Sequence, residues 1–122
     1  IGVGATVGAS SRYYIGIIST QYLGKGLPYG TLISNVIGSF IAGVLIVLVL
    51  EKLLLSETYR LMLLVGLAGS LTTMSALSIE SVEMLSGGHY SQAFINILLN
   101  LLLSLAAASL GVVASKYVFN LV

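Results

Sequence analysis

Residues 26–50 read GLPYGTLISNVIGSFIAGVLIVLVL and contain no charged side chain. A helix of these 25 residues can cross a hydrocarbon core about 30 Å thick, because each residue adds about 1.5 Å of rise. Two more uncharged runs of suitable length lie at 61–79 and 84–115. Residues 1–22 are a fourth candidate, since Arg12 is their one charged residue. The sequence therefore predicts four membrane-spanning helices.

The composition also favours a membrane protein. The 122 residues are 57% hydrophobic and 7% charged, whereas a soluble domain carries about 25% charged residues. This leaves too little polar surface for a water-soluble globule. A net charge of +1 provides no basic field for nucleic acid. Without cysteine, Ser/His/Asp sets, paired carboxylates or a nucleotide-binding loop in the sequence, we do not expect an enzyme.

We expect an all-α integral membrane protein with a single transmembrane domain over residues 1–122. The four helices are predicted at about 1–23, 28–51, 58–85 and 89–119. The first segment lacks the basic start of a cleaved signal peptide. Lys and Arg are only slightly more frequent on the side of the termini, which favours cytoplasmic termini but also permits insertion in both orientations.

Uncharged polar residues in the second and fourth predicted helices must face protein or water. Asn35 has an amide that its own helix backbone cannot satisfy. Gln92, Asn96, Asn100 and Ser104 recur every four residues and so share one helix face. A neutral track rich in donors suits the passage of a small anion, because amides and hydroxyls can replace its hydration. The alternative for both helices is polar packing between helices or subunits.

The third predicted helix is rich in glycine and hydroxyl residues. Gly66 and Gly69 precede five hydroxyl residues within 70–78. Glycine permits a local break, and hydroxyls can satisfy the carbonyls that a break releases. Broken membrane helices are tolerated where the backbone is buried or lines a cavity, and they often bind ions there. We predict a break near the middle of this helix; the alternative is a packing face of small residues.

Ionisable residues give fewer indications. Arg12 lies within the first predicted helix and must snorkel, form an ion pair or line a watery vestibule. Glu80 is its obvious partner for an ion pair; the alternative is that Glu80 lies at an aqueous mouth. His89 lies in a glycine-containing loop, and we expect it to be exposed.

Three motifs occur in order along the first three predicted helices. They are Gly4-Ala5-x-x-Gly8-Ala9-x-x-Arg12-Tyr13, Pro28-x-Gly30-Thr31-Leu32-x-x-Asn35-x-x-Gly38-Ser39-Phe40-x-x-Gly43 and Gly69-x-Leu71-Thr72-Thr73-x-Ser75-x-x-Ser78-x-Glu80. In this order and in a four-span chain, they resemble the Fluc (CrcB) fluoride channel family. The fourth helix resembles the family only in its polar spacing.

The resemblance implies a passive fluoride channel in a bacterial plasma membrane, which exports fluoride and lowers its cytoplasmic concentration. It implies an antiparallel, dual-topology dimer with two pores, in contact with membrane lipid and with a second four-span subunit. The implied ion-path residues are Asn35, Ser75, Asn96, Asn100 and Ser104. Arg12 would lie towards the vestibule, and the backbone carbonyls of Gly69 and Thr72 would hold a structural sodium ion at the dimer centre.

The chain departs from the family pattern at the pore. Where the family usually has Phe, this sequence has Met74 and Leu77, and Ala76 replaces the Thr between them. Aromatic ring edges carry a partial positive charge that attracts anions, and Met and Leu lack it. The departure favours a heterodimer in which a paralogous subunit supplies the aromatic residues.

Three alternatives to the heterodimer remain. The chain forms a homodimer, acts as a non-conducting structural partner, or belongs to the small multidrug-type transporters. The last class needs a membrane-embedded carboxylate, and the first helix carries Arg12 instead.

Overall fold

The computed structural model describes residues 1–51 and 55–120, in which every regular element is helical. The all-α prediction is therefore confirmed. The α-helices are α1 (Gly2–Leu23), α2 (Tyr29–Ile46), α3 (Glu57–Tyr59), α4 (Gly69–Leu71), α5 (Met74–Ser86) and α6 (Tyr90–Asn120). Wider, π-helical turns at Val47–Glu51 follow α2, and similar turns at Arg60–Ala68 connect α3 to α4.

Three stretches of the described chain are long and apolar enough to cross a membrane. They are Tyr29–Leu50, Glu57–Ser86 and Tyr90–Phe119. The longest helix, α6, has 31 residues and spans about 46 Å at 1.5 Å per residue. Helix α1 has 22 residues but is not one of the three, and it carries Arg12 and several hydroxyl residues.

The distribution of side chains is the reverse of that in a soluble protein. Large apolar side chains are exposed along α1, α2, α5 and α6, whereas Ser34, Asn35, Asn96 and Asn100 are buried. In lipid, polar groups must find partners inside the protein and apolar groups can face outward. The surface therefore suits a hydrocarbon environment.

Glycines let the helix backbones approach one another closely. Helix α2 packs most extensively against α6. At their crossing, a Cβ atom at Gly43 would collide with the Ala108 carbonyl, and one at Gly111 would collide with the Phe40 carbonyl. This α2–α6 glycine seam resembles the close contacts of small residues that drive helix association in membranes.

Thr72 and Thr73 separate α4 from α5 with extended backbone. Their φ/ψ angles are −85°/154° and −153°/116°, both in the β region. We call this pair the interruption. It lies inside the stretch Glu57–Ser86, with helical turns before it and α5 after it.

Candidate functional site

A continuous series of hydrogen bonds joins three asparagines and a serine from α2, α5 and α6. Asn35 Nδ2 donates to Asn100 Oδ1 at 2.9 Å. Asn100 Nδ2 donates to the Oδ1 and main-chain O of Asn96, at 3.2 and 2.9 Å. Asn96 Nδ2 donates to Ser81 Oγ at 3.2 Å. We call these four residues the amide line.

The amide line is buried and electrically neutral. Asn35 is 8% exposed, Asn96 and Asn100 are 2% exposed, and Ser81 is 4% exposed. Burying an amide without a hydrogen bond costs about 1–3 kcal/mol. The hydrogen bonds among these four residues offset that cost. No full charge belongs to the line.

Helix geometry and close packing assemble the line. Asn96 and Asn100 are four residues apart on α6 and so share one face. The glycine seam brings that helix against α2, which carries Asn35. A short connection, residues 87–89, folds α5 back beside α6 and places Ser81 next to Asn96.

Asn35 also contacts the interruption. Its Oδ1 accepts the main-chain N–H of Thr73 at 2.7 Å, and its Nδ2 donates to the Thr73 carbonyl at 3.3 Å. The hydroxyl of Thr73 then caps the first turn of α5 by accepting the Ala76 N–H at 3.1 Å. The amide line and the interruption therefore share one side chain.

The predicted sodium-binding residues are Gly69, the first residue of α4, and Thr72, which directly follows its last residue. The Thr72 hydroxyl donates to the Ala68 carbonyl at 3.2 Å and lies 3.4 Å from the Gly69 carbonyl. Carbonyls at the end of a broken membrane helix form an oxygen donor set that suits Na⁺. The residues present therefore fit that ion by donor type.

A cavity of about 230 Å³ adjoins the amide line and the interruption. It brings together five of the residues predicted from the sequence with two neighbours. The lining residues are Asn35, Ser39, Thr72, Thr73, Met74, Leu77 and Ser104. Leu77 is buried, whereas Met74 is 72% exposed at the protein surface. The side chains at the two substituted positions thus line the space beside Asn35 and Ser104.

Ser75 and Ser104, two residues of the predicted ion path, lie off the amide line, and Ser104 lines the cavity of about 230 Å³. Ser75 is exposed, and its hydroxyl is 3.2 Å from that of Thr73. Gln92, which shares the four-residue spacing of Asn96 and Asn100, is also exposed and lines a cavity of about 440 Å³ beside residues 24–28. Lys25, Glu83 and the exposed His89 line the same cavity.

Arg12 and Glu80 line one cavity of about 610 Å³ without forming the ion pair considered from the sequence. Within the described residues, Arg12 Nε donates to the Ser70 carbonyl at 3.2 Å, near the end of α4. The Glu80 carboxylate instead accepts the Thr31 hydroxyl at 2.7 Å. The pairing interpretation is therefore wrong: Arg12 donates to a main-chain carbonyl, and Glu80 accepts a neighbouring hydroxyl through one oxygen, while its Oε1 has no hydrogen-bond partner within the described residues.

Sequence reasoning missed two residues of the site. Ser81 is one hydroxyl among several, and nothing in its spacing indicates that it faces Asn96. Thr73 had a detectable signal, because a threonine just before an apolar helical segment is a typical N-cap. Its pairing with Asn35 depends on how the helices pack.

The fold and the site together define a small, multi-pass helical membrane protein with a hydrogen-bonded line of neutral amides in its interior. Residues 1–112 match the model of the family described as "CrcB-like protein, Camphor Resistance (CrcB)". The chain belongs to this family.

Curated relatives resemble the chain along nearly all of its length. It is 44% identical over 116 residues to a protein of Sulfurihydrogenibium sp. (strain YO3AOP1), covering 95% of this chain and 94% of the relative. It is 43% identical over 111 residues to a protein of Roseiflexus sp. (strain RS-1), covering 91% and 90%. It is 36% identical over 118 residues to a protein of Legionella pneumophila (strain Paris), covering 97% and 88%. Each of these relatives is named "Fluoride-specific ion channel FluC".

Proposed function

We propose that this chain is a subunit of a passive, fluoride-selective channel that lets fluoride leave the cell and so lowers its cytoplasmic concentration. The amide line is the structural observation that carries the proposal. The names of the curated relatives support the choice of ion. Because those relatives are ion channels, the prediction that the chain is not an enzyme is confirmed.

Neutral donors suit a small, strongly hydrated anion. Amide N–H groups and hydroxyls can replace lost hydration, while the absence of a full charge avoids trapping or repelling the ion. Each asparagine amide has two N–H groups. Asn35 and Asn100 use both of theirs within the protein, and Asn96 uses one on Ser81. A passing fluoride ion replaces these hydrogen bonds one after another, so each N–H group is bonded either to the ion or to its partner in the protein.

The assembly that we propose is an antiparallel dimer of four-span subunits, embedded in lipid, with the interruption at its centre. Helix α1 is the fourth span, with Arg12 at a watery vestibule. The carbonyls of Gly69 and Thr72 would hold a structural Na⁺ at the dimer centre. When bound, such an ion would supply a fixed positive charge beside the interruption.

We propose further that the partner is a paralogous subunit. Met74 and Leu77 line the cavity beside Asn35 and Ser104, and neither side chain offers an anion a positive ring edge. A partner with phenylalanines at the matching positions completes that pore. Two copies of this chain alone leave both pores without aromatic contacts.

Fluoride efflux from liposomes tests these proposals. The purified chain is reconstituted alone and together with a four-span paralogue encoded nearby, and efflux is followed with a fluoride electrode against a chloride control. We expect fast, fluoride-selective efflux from the pair and slow efflux from the chain alone. Fast efflux from the chain alone would overturn the heterodimer, and no selective efflux in either case would overturn the channel.

The substituted pore also favours one second function, a non-conducting partner that serves assembly only. The two functions differ at Asn100. In a conducting subunit, Asn100→Leu lowers the efflux of the assembled pair. In a structural subunit, the same variant leaves the efflux of the pair unchanged.

A further inference from the structure

A side chain from another helix is hydrogen-bonded to the backbone of the interruption. In a continuous α-helix, each N–H donates to the carbonyl four residues earlier. The N–H of Thr73 would then reach the carbonyl of Gly69. Instead it donates to Asn35 Oδ1 at 2.7 Å, the shorter of the two bonds between Asn35 and Thr73.

The Thr72 carbonyl loses its helical donor in a similar way. In a continuous helix, the N–H of Ala76 would reach Thr72, but here it donates to the Thr73 hydroxyl at 3.1 Å. The Gly69 carbonyl lies 3.4 Å from the Thr72 hydroxyl, but the shorter hydrogen bond of that hydroxyl goes to the Ala68 carbonyl at 3.2 Å. The two diverted N–H groups are thus the ones that would otherwise occupy Gly69 and Thr72.

We propose that Asn35 is a positioning residue that holds the interruption open. Its side chain pairs with the N–H and the carbonyl of Thr73 as a neighbouring strand would, and so keeps the Gly69 carbonyl out of the helical ladder. The two threonines alone do not require an extended backbone, since their helix propensity is only modestly unfavourable. Removing Asn35 therefore lets Thr73 return its N–H to Gly69.

The same amide donates to Asn100 at 2.9 Å, so Asn35 couples the amide line to the released carbonyls. This coupling has a consequence that rests on the proposed function. A group that moves Asn35 within the amide line also moves the carbonyls proposed to hold Na⁺. The positioning role itself depends on neither fluoride nor sodium.

Backbone chemical shifts test the positioning role directly. The chain with ¹³C,¹⁵N-labelled threonine is studied by NMR in lipid bilayers, where Cα and Cβ shifts distinguish extended from helical residues. We expect extended shifts for Thr72 and Thr73 in the unaltered chain and helical shifts in Asn35→Ala. Asn100→Ala is the matched control, because it removes the same Asn35–Asn100 bond and leaves the hydrogen bonds between Asn35 and Thr73 in place. In this variant the shifts of Thr72 and Thr73 should stay extended.

Two more variants distinguish the positioning role of Asn35 from a general loss of folding. Asn35→Asp keeps an oxygen for the Thr73 N–H and should retain extended shifts. The serine side chain in Asn35→Ser keeps a hydroxyl but is too short to reach both the N–H and the carbonyl of Thr73. Thr72 and Thr73 should therefore show helical shifts in this variant, which provides the test even if Asn35→Ala does not fold. Extended shifts in Asn35→Ser, or helical shifts in Asn100→Ala, would overturn the proposal. Fluoride efflux is not part of this readout, so failure of the channel function would be seen separately.

Discussion

The two faces of α6 differ in a way that identifies the solvent of this protein. The face towards α2 and α5 carries the buried Asn96 and Asn100. The opposite face carries Leu102, which is 58% exposed. In water, exposing the apolar face and burying the amides would both cost free energy. In a bilayer, an apolar face towards lipid and amides paired inside the protein are both favourable. Substitutions that exchange the character of the two faces therefore test the environment and the site together.

The largest effect is expected from a charge on the lipid-facing side. Leu102→Asp should raise the free energy of inserting the α6 segment into membranes by about 3 kcal/mol, because a carboxylate near a helix centre is costly in hydrocarbon. The measurement is the inserted fraction in a microsomal insertion assay, with Leu102→Ala as the control. Equal insertion of the two variants would mean that this face does not contact lipid.

A smaller loss is expected where α2 crosses α6. Gly43→Leu should destabilise the folded chain by about 2 kcal/mol, because a side chain there collides with the Ala108 carbonyl. Thermal unfolding in detergent measures this loss. Gly16→Ala is the matched control, since a Cβ atom at Gly16 meets open space and alanine favours a helix by about 0.5–1 kcal/mol. A stable Gly43→Leu variant would contradict the close contact.

On the inner face of α6, a more apolar residue should be less stable. Asn100→Leu should cost about 1–2 kcal/mol, because Asn35 and Asn96 each lose a buried hydrogen-bond partner. Denaturant titration in detergent, compared with Leu102→Asn on the outer face, measures the difference. If Asn100→Leu is the more stable variant of the two, the amide line does not contribute to stability.

The smallest effect concerns Arg12, which we propose lies at a watery vestibule. Arg12→Gln should lower fluoride efflux about threefold at low ionic strength and less at high salt, because charges that face water are screened over about 10 Å at 0.1 M salt. Efflux at two salt concentrations checks this. Arg12→Lys, which keeps the charge, should retain most of the flux. A loss that does not depend on salt would place the role of Arg12 in packing.

Periodicity and polarity predicted a large part of this arrangement from the sequence. The four-residue spacing of Asn96 and Asn100 gave their shared face, and the unsatisfied amide of Asn35 indicated an internal partner. The partners themselves, Ser81 and Thr73, depend on the crossing of separate helices. Local patterns do not encode that crossing, so these pairings came only from the structure.

The interpretation of Arg12 and Glu80 failed for a related physical reason. Opposite charges in an apolar segment suggest an ion pair, but the interruption within Glu57–Ser86 makes further main-chain acceptors available. The Ser70 carbonyl became available to Arg12, while Thr31 was within reach of Glu80. An interrupted helix offers polar groups that a continuous helix would hide.

The central claim is that fluoride passes along the amide line, and the most direct measurement is fluoride efflux with Asn100 altered. Losing a hydrogen bond to an ion costs about 1.5–3 kcal/mol. Each 1.4 kcal/mol is worth about a factor of ten in rate. In whichever assembly conducts, the chain alone or the chain with its paralogue, Asn100→Leu should therefore lower efflux by about ten- to a hundredfold while the protein remains folded. An efflux rate equal to that of the unaltered assembly would contradict the account.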